Sequence, residues 1–417
     1  MNTDLRGKKL LILGGNALSC DIVQTAQSMG VYTIVTDWNE PSQSPAKLIA
    51  NEYWNISLMD YDLLTEKIRE KRVNGVITGF TDSYLLPYQH LCEINDFPCY
   101  ATKQQLEQTL DKGMFKSFCR ESGIDVVPQY DLKTFNKHLI SDSHKIIIKP
   151  VDNSGSRGIC LCKSAEDFEA MLQYSLSYSQ KKEVVLEKYM ECDDVSFEYK
   201  IQDGEVFLSS ICDRYIYKTK NAGSVTSKLI YPSRYTEDFM KETDGKVRQM
   251  FQQLGLQNGV LFMQAFVENG HFYFYEMGYR LSGGRHYLFT DNQNGTNAAK
   301  ELIQFALTGK MSDKRLTIAA NPKFKDVCCQ LSILCRSEMI SKIVGADLIE
   351  KIPEIIDMKI YHHEGESIGK EGTTAQIFAR IHVVAKSKTH LDELIQMIKK
   401  TLIVTNTKGD NIIINTF

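Results

Sequence analysis

Phosphate chemistry needs cations, backbone N–H groups and oxygen ligands for a metal, and this chain sets such groups along its length. The stretch 145–161, KIIIKPVDNSGSRGICL, reads as strand, loop, strand. Ile146, Ile147 and Ile148 are β-branched and favour a pleated surface. Lys149 ends that run, and Pro150 stops the ladder. The loop that follows holds Ser154, Gly155, Ser156 and Gly158. A loop of small residues can turn its N–H groups into a concave anion site, and Lys149 adds a full charge at its base. A triphosphate suits such a site. The same composition also describes a surface hairpin loop, and the stretch alone does not separate the two. It is not a Walker loop: the G-x-x-x-x-G-K-[ST] order is missing and a strand follows.

Other chemically capable groups are spread more widely. Lys112 and Lys116 sit on the polar side of a helical segment. VVLEKYM at 184–190 carries Glu187, Lys188, Tyr189 and Met190, with Asp194 close behind. Gln264 and Glu276 flank Asn269-Gly270, and GYRLSGGRH supplies Arg280 and Arg285. Each alone has a plainer reading, as a solvated lysine, an exposed strand pair, a turn cap or a structural ion pair.

The elements that position these groups follow from periodicity. Up to about residue 100, strands at 9–13, 31–36 and 75–78 alternate with helices at 18–29 and 61–71. That pattern predicts a doubly wound parallel sheet, whose ligands bind beyond the strand ends. Gly14 to Asn16 and Gly79 to Asp82 are thereby nominated. Asp37 after the second strand invites a dinucleotide reading, but GGNALS does not match G-x-G-x-x-G. A single helix is expected over 104–122, with Leu106, Leu110, Met114 and Phe118 as its buried stripe. Asp203-Gly204 and Asn269-Gly270 mark hairpins. The expected division is 1–103, 104–310 with a lid at about 126–190, and a small α+β C-terminal part at 311–417.

Composition narrows the classes. The 417 residues carry a net charge of −3, with no basic footprint for nucleic acid. No apolar run of about 18 residues would span a membrane. Eleven cysteines show no C-x-x-C pair, which argues against a zinc site and for free thiols in a reducing cytoplasm.

The order of these parts resembles the ATP-grasp superfamily, in particular its carboxylate–amine ligases such as biotin carboxylase, carbamoyl-phosphate synthetase and the purine-pathway members. The resemblance covers roughly residues 1–310. It implies a parallel N-terminal sheet, then an ATP-grasp domain of two α+β subdomains. It implies ATP, with Mg²⁺ or Mn²⁺, spent on making an acyl phosphate from a small carboxylate that an amine then attacks. Carried over by position, Lys112 and Lys149 contact phosphates, and Ser154, Gly155, Ser156 and Gly158 form the lid. Glu187, Lys188, Tyr189 and Met190 read adenine, and Asp194 the ribose. Glu276 holds the metal and Arg280 stabilises the transferred group. Asn16, Thr81, Asp82 and Arg285 fall on the substrate side. A homodimer is compatible with this class.

Two positions depart from the pattern. The family's first metal-ligand glutamate falls on Gln264, and its asparagine falls on Gly278. A degenerate, non-catalytic ATP binder therefore stays open beside the ligase reading, with Glu198 or Glu268 as substitute ligands. If Gln264 and Glu276 share a metal they must share a face. A two-residue Asn269-Gly270 turn would put them on opposite faces. The expectation is therefore a three-residue loop with positive φ at Gly270.

Overall fold

The structure is a computed structural model that describes residues 4–151, 158–219, 224–312 and 321–416. β1 (Lys9–Leu13), β2 (Tyr32–Asp37), β3 (Glu52–Asn55) and β4 (Gly75–Ile77) form a parallel sheet in the order β3-β2-β1-β4. β1 is buried along nearly its whole length, as a continuous apolar run in a covered parallel sheet should be. The helices Ser19–Ser28 and Tyr61–Lys71 lie close to their expected places; the Asp60 side chain caps the second by accepting from the Leu63 N–H.

The expected helix over 104–122 is two helices, Lys103–Leu110 and Lys112–Glu121. Asp111 is extended between them (ψ 115°), and its carboxylate accepts from the Gly113 and Met114 N–H groups. The break re-phases the second helix. Met114 ends up 42% exposed, whereas Phe115, Lys116 and Cys119 turn inward.

A small antiparallel sheet follows, from β5 (Gln129–Tyr130), β6 (Ile146–Pro150), β7 (Cys160–Cys162) and β8 (Val184–Lys188), in the order β5-β8-β6-β7. One side buries Ile146, Ile148 and Leu186 against Phe168 and Leu172 of the helix Phe168–Ser177. The other side carries Lys149 and Glu187.

The main sheet has eight strands. β9 (Asp193–Gln202), β10 (Glu205–Lys218), β11 (Ser224–Tyr231), β12 (Gly259–Glu268) and β13 (His271–Gly278) are joined by β14 (Val327–Leu334), β16 (Ile355–Ile360) and β17 (Ile377–Ala385). The order is β13-β12-β9-β10-β11-β14-β17-β16, while β15 (Lys342–Val344) and β18 (Ile403–Thr405) pair apart from it. β9 shows the logic of this sheet. Val195, Phe197, Tyr199 and Ile201 enter the apolar core, while Asp194, Ser196, Glu198 and Lys200 alternate onto the other face and are buried too. Polar groups seldom go under cover without a task.

The Asn269-Gly270 loop has two residues, not three. Glu268 pairs with His271, and φ is positive at both Asn269 (53°) and Gly270 (81°), as a type I′ turn requires. Gln264 nevertheless faces Glu276 directly, because the next pair is Ala265 with Phe274 and Tyr275 is an extra residue. A β-bulge, rather than the loop, resets the register. The reason lies in parity: Phe272 and Phe274 enter the core, and an unbroken strand would drive the Glu276 charge in after them.

Candidate functional site

The lid sheet and the start of the helix Lys112–Glu121 bring the phosphate-side residues together. Lys149 Nζ lies 2.7 Å from Glu187 Oε2, and Lys116 Nζ is bonded to Glu187 Oε1. Burial pushes the Glu187 carboxyl up, but Lys149 and Lys116 outweigh it and hold the group below the usual range. Lys112 opens the same helix. Burial and the like charge of Lys149 lower its affinity for a proton, while Glu276, Glu187 and Asp82 act the other way. Lys112, Lys149, Glu187 and Glu276 are therefore electrostatic neighbours drawn from four elements. Lys116, expected to be solvated, is fully buried because of the break at Asp111. Ser154, Gly155 and Ser156 lie outside the described residues. Gly158 is described, with φ +78° and Tyr178 and Pro150 within 3 Å of where a Cβ would stand.

The run 187–190 has a backbone acceptor that its neighbour at Pro128 cannot serve, for a chemical reason. The Lys188 N–H donates to the Pro128 carbonyl at 2.9 Å, and a proline has no N–H with which to return the bond to Lys188. The Tyr189 N–H donates to Lys145. The Lys188 side chain turns away to Glu268, 2.9 Å distant, so Glu268 is not placed to replace a metal ligand at Glu276.

On the main sheet, Arg214 of β10 gathers the groups expected to serve ribose and metal. Its Nη1 donates to both oxygens of Asp194 (3.0 Å each), to Gln264 Oε1 (2.9 Å) and to the Tyr275 hydroxyl. Burial works against the guanidinium charge, but Asp194 heads the groups that hold it more firmly protonated than usual. A Cβ built on Gly278 would run into the ring of Phe262, its cross-strand partner, and Arg280 lies over that ring at 4.9 Å. Arg214 and Phe262 were not singled out in the sequence, since neither belongs to a motif.

At the N-terminal sheet, Arg280 makes a bidentate pair with Asp82 (2.5 and 2.7 Å), and the Asn16 amide reaches Thr81 Oγ1 at 3.4 Å. Asn16, Thr81, Asp82 and Arg280 thus form one edge. Arg285 stands apart from it. It is 5% exposed and its fork is taken by Asp21 and Asp357, which a substrate carboxylate would have to displace. Asp37, the acid behind the dinucleotide reading, is also spent. It accepts from the Gly15 N–H (2.7 Å) and Ser44 Oγ (2.8 Å) and pairs with Lys47 (2.9 Å).

A family model described as an ATP-grasp domain matches residues 143–286. The formate-dependent phosphoribosylglycinamide formyltransferase of Wolinella succinogenes is 21% identical over 278 residues, covering 65% of this chain and 70% of that protein. An L-amino acid ligase from Bacillus licheniformis superposes with a TM-score of 0.79 at 17% identity, over 96% of this chain and 99% of that one. The biotin carboxylase domain dimer of the Hydrogenobacter thermophilus 2-oxoglutarate carboxylase, solved with MgADP and bicarbonate, gives 0.76 at 17%, over 95% and 90%. The family model falls on the lid and main-sheet residues that carry the site, so residues 143–286 form an ATP-grasp domain, and the fold of the L-amino acid ligase is shared nearly end to end.

Proposed function

We propose that the chain binds ATP between the lid sheet and the β12–β13 hairpin and uses it to join a small carboxylate to an amine. The observation that carries this reading is the convergence of Lys112, Lys149, Glu187 and Glu276. Clustered lysines in a partly desolvated cleft repel one another, and a polyphosphate relieves that repulsion. Lys149 and Lys112 would hold the phosphate oxygens. The Lys188 carbonyl and the Met190 N–H would meet the donor and acceptor on the adenine edge. Glu276 is a half-exposed carboxylate beside these lysines, a hard oxygen ligand that suits Mg²⁺ shared with phosphate oxygens. A bound Mg²⁺ neutralises charge on the transferring group. Arg280, with Asp82 orienting its fork, would face the carboxylate as its oxygen attacks the γ-phosphorus and ADP leaves. The amine nitrogen then attacks the acyl carbon, phosphate departs, and the nitrogen loses a proton. Asn16 and Thr81 lie where the substrate would rest.

The experiment is phosphate release from ATP across a panel of carboxylates and amines. Release that needs one carboxylate and one amine together supports the ligase. The engagement of Gln264 by Arg214 and the loss of a side chain at position 278 favour a second reading, a nucleotide binder without turnover. ATP binding with no release across the panel would support that one.

A further inference from the structure

We propose that Arg214 takes the place of one metal ion, so that the site binds nucleotide with a single divalent cation on Glu276 and a fixed guanidinium as the second centre of positive charge. The inference rests on the ATP reading above.

Three observations converge on it. The first is the state of Gln264. This residue stands where the resemblance implies a glutamate, and it has lost the charge. Its one ligand atom, Oε1, already accepts from Arg214 Nη1 at 2.9 Å. A dication at about 2.1 Å from that oxygen would lie no more than about 5 Å from the guanidinium nitrogen, with like charges facing in a half-buried cleft. The second is the far ligand. The phenyl ring of Phe262 fills the space in which a side chain at Gly278 would begin, so an apolar face stands where an amide oxygen is expected. Among the described residues no group of three His, Cys, Asp or Glu side chains is arranged to hold an ion. A lone Glu276 completed by phosphate oxygens and water does not need one.

The third observation is how Arg214 is anchored. Asp194 takes Nη1 with both oxygens, Tyr275 presents its hydroxyl, and Thr226 Oγ1 accepts from Nη2 at 3.2 Å. Only 12% of the side chain is exposed. The Tyr275 hydroxyl also donates to Asp194 at 3.1 Å. Tyr275 is the bulge residue, so the irregularity that sets Glu276 opposite Gln264 also supplies a partner to the arginine. A guanidinium held from several sides keeps a fixed charge without the desolvation and re-ordering that a mobile ion entails. Such a site would tolerate scarce divalent metal better than one needing two ions.

The test is the metal-to-nucleotide ratio of the intact chain. The protein is saturated with a β,γ-methylene ATP analogue and Mn²⁺, and the complex is separated from excess ligand. The expected result is one Mn²⁺ per bound nucleotide, with the paramagnetic resonance spectrum of an isolated ion. Two Mn²⁺ per nucleotide, spin-coupled as ions about 3.5–4 Å apart would be, overturns the inference. A double variant, Arg214→Met with Gln264→Glu, removes the guanidinium and frees Asp194 and a new carboxylate. Its ratio is expected to rise to two, and a ratio of one in a folded double variant also overturns the role given to Arg214. Should that variant not fold, the wild-type ratio still decides. If the wild-type chain binds no analogue at all, the ATP reading fails and takes this inference with it.

Discussion

Two largely covered arginines stand near opposite ends of one face of the main sheet, and they are held in different ways. A single cross-strand row runs from Asp194 through Arg214, Leu229, Gln330 and His382 to Asp357. At the first end Arg214 belongs to a cluster in which five cations (Lys112, Lys116, Lys149, Arg214, Arg280) meet four carboxylates (Asp82, Glu187, Asp194, Glu276). At the other end the ion-paired groups match, two cations to two carboxylates, while Arg380 beside them is taken up by the Gly283 carbonyl and the Tyr361 ring. Arg285 pairs with Asp21 and Asp357, and Lys359 reaches Asp21 at 2.5 Å. The Tyr287 hydroxyl donates to Asp21 at 2.7 Å, and His382 stands 3.4 Å from Asp357. This end ties the helix Ser19–Ser28, the loop after β13 and β16 to one another. The cation-rich end is the one with something to gain from an anion. Charge under cover is locked into ion pairs between elements at one end, and on the proposed function it receives an anion at the other.

The comparison breaks most visibly at Arg285. Arg285→Met leaves Asp21 and Asp357 buried with less compensation, and removing one partner of a buried pair costs about 3–5 kcal/mol. Urea unfolding should show that loss, while ATP affinity of the folded variant stays within about twofold. A loss below about 1 kcal/mol, or a collapse of ATP binding in a folded protein, would erase the distinction between the two ends.

Between them lies a pair that reports on pH. Glu198 Oε1 is 3.5 Å from His286 Nδ1, and both residues are buried. Burial pushes the Glu198 carboxyl up to about 8 from 4.5, and burial, helped by His382 and Arg214, pulls His286 down to about 3 from 6.5. Unfolded, the two groups hold one proton between pH 4.5 and 6.5 and none above; folded, they hold one up to about pH 8. Their contribution to stability is therefore flat from 4.5 to 6.5 and falls as pH rises from 6.5 to 8, by about 2 kcal/mol. Thermal unfolding of Glu198→Gln should lack that decline. An equal decline in the variant would assign it to other groups.

The smallest effect is expected at Lys188. Its ion pair with Glu268 is about one-third exposed on both sides, and such pairs contribute about 0–1 kcal/mol. Lys188→Met should cost no more than that and leave ATP affinity unchanged, because the backbone carbonyl rather than the ammonium is assigned to adenine. A tenfold loss of affinity would return the side chain to the site.

What could be read from the sequence was what short spacing governs. The strands and helices of the first sheet and the Asp203-Gly204 hairpin announce themselves within a few residues, whereas Asn269-Gly270 marks a hairpin but not its two-residue loop. The order of Lys112, Lys149, Glu187 and Glu276 then pointed to one cleft. The rest depended on contacts between distant segments. Asp111 looks like any helix-surface acid until its carboxylate is seen capping the next helix, and that one break decides whether Lys116 is wet or dry. The bulge at Tyr275 had a signal, the parity of Phe272 and Phe274 against Glu276, which the turn residues alone do not show. Arg214 and Asp357 carry no motif, and their roles appear only when sheet order sets them on one row.

Titration of the wild-type chain and of Lys149→Ala with ATP and Mg²⁺ asks whether the end of the sheet around Lys112, Lys149 and Arg214 binds ATP. Loss of a charge-assisted bond of about 1.5–3 kcal/mol should weaken ATP roughly 10–150-fold, with NAD giving no saturable signal in either protein. Equal ATP affinity in the two proteins, or no ATP binding by the wild type, would mean that this end of the sheet is not an ATP site.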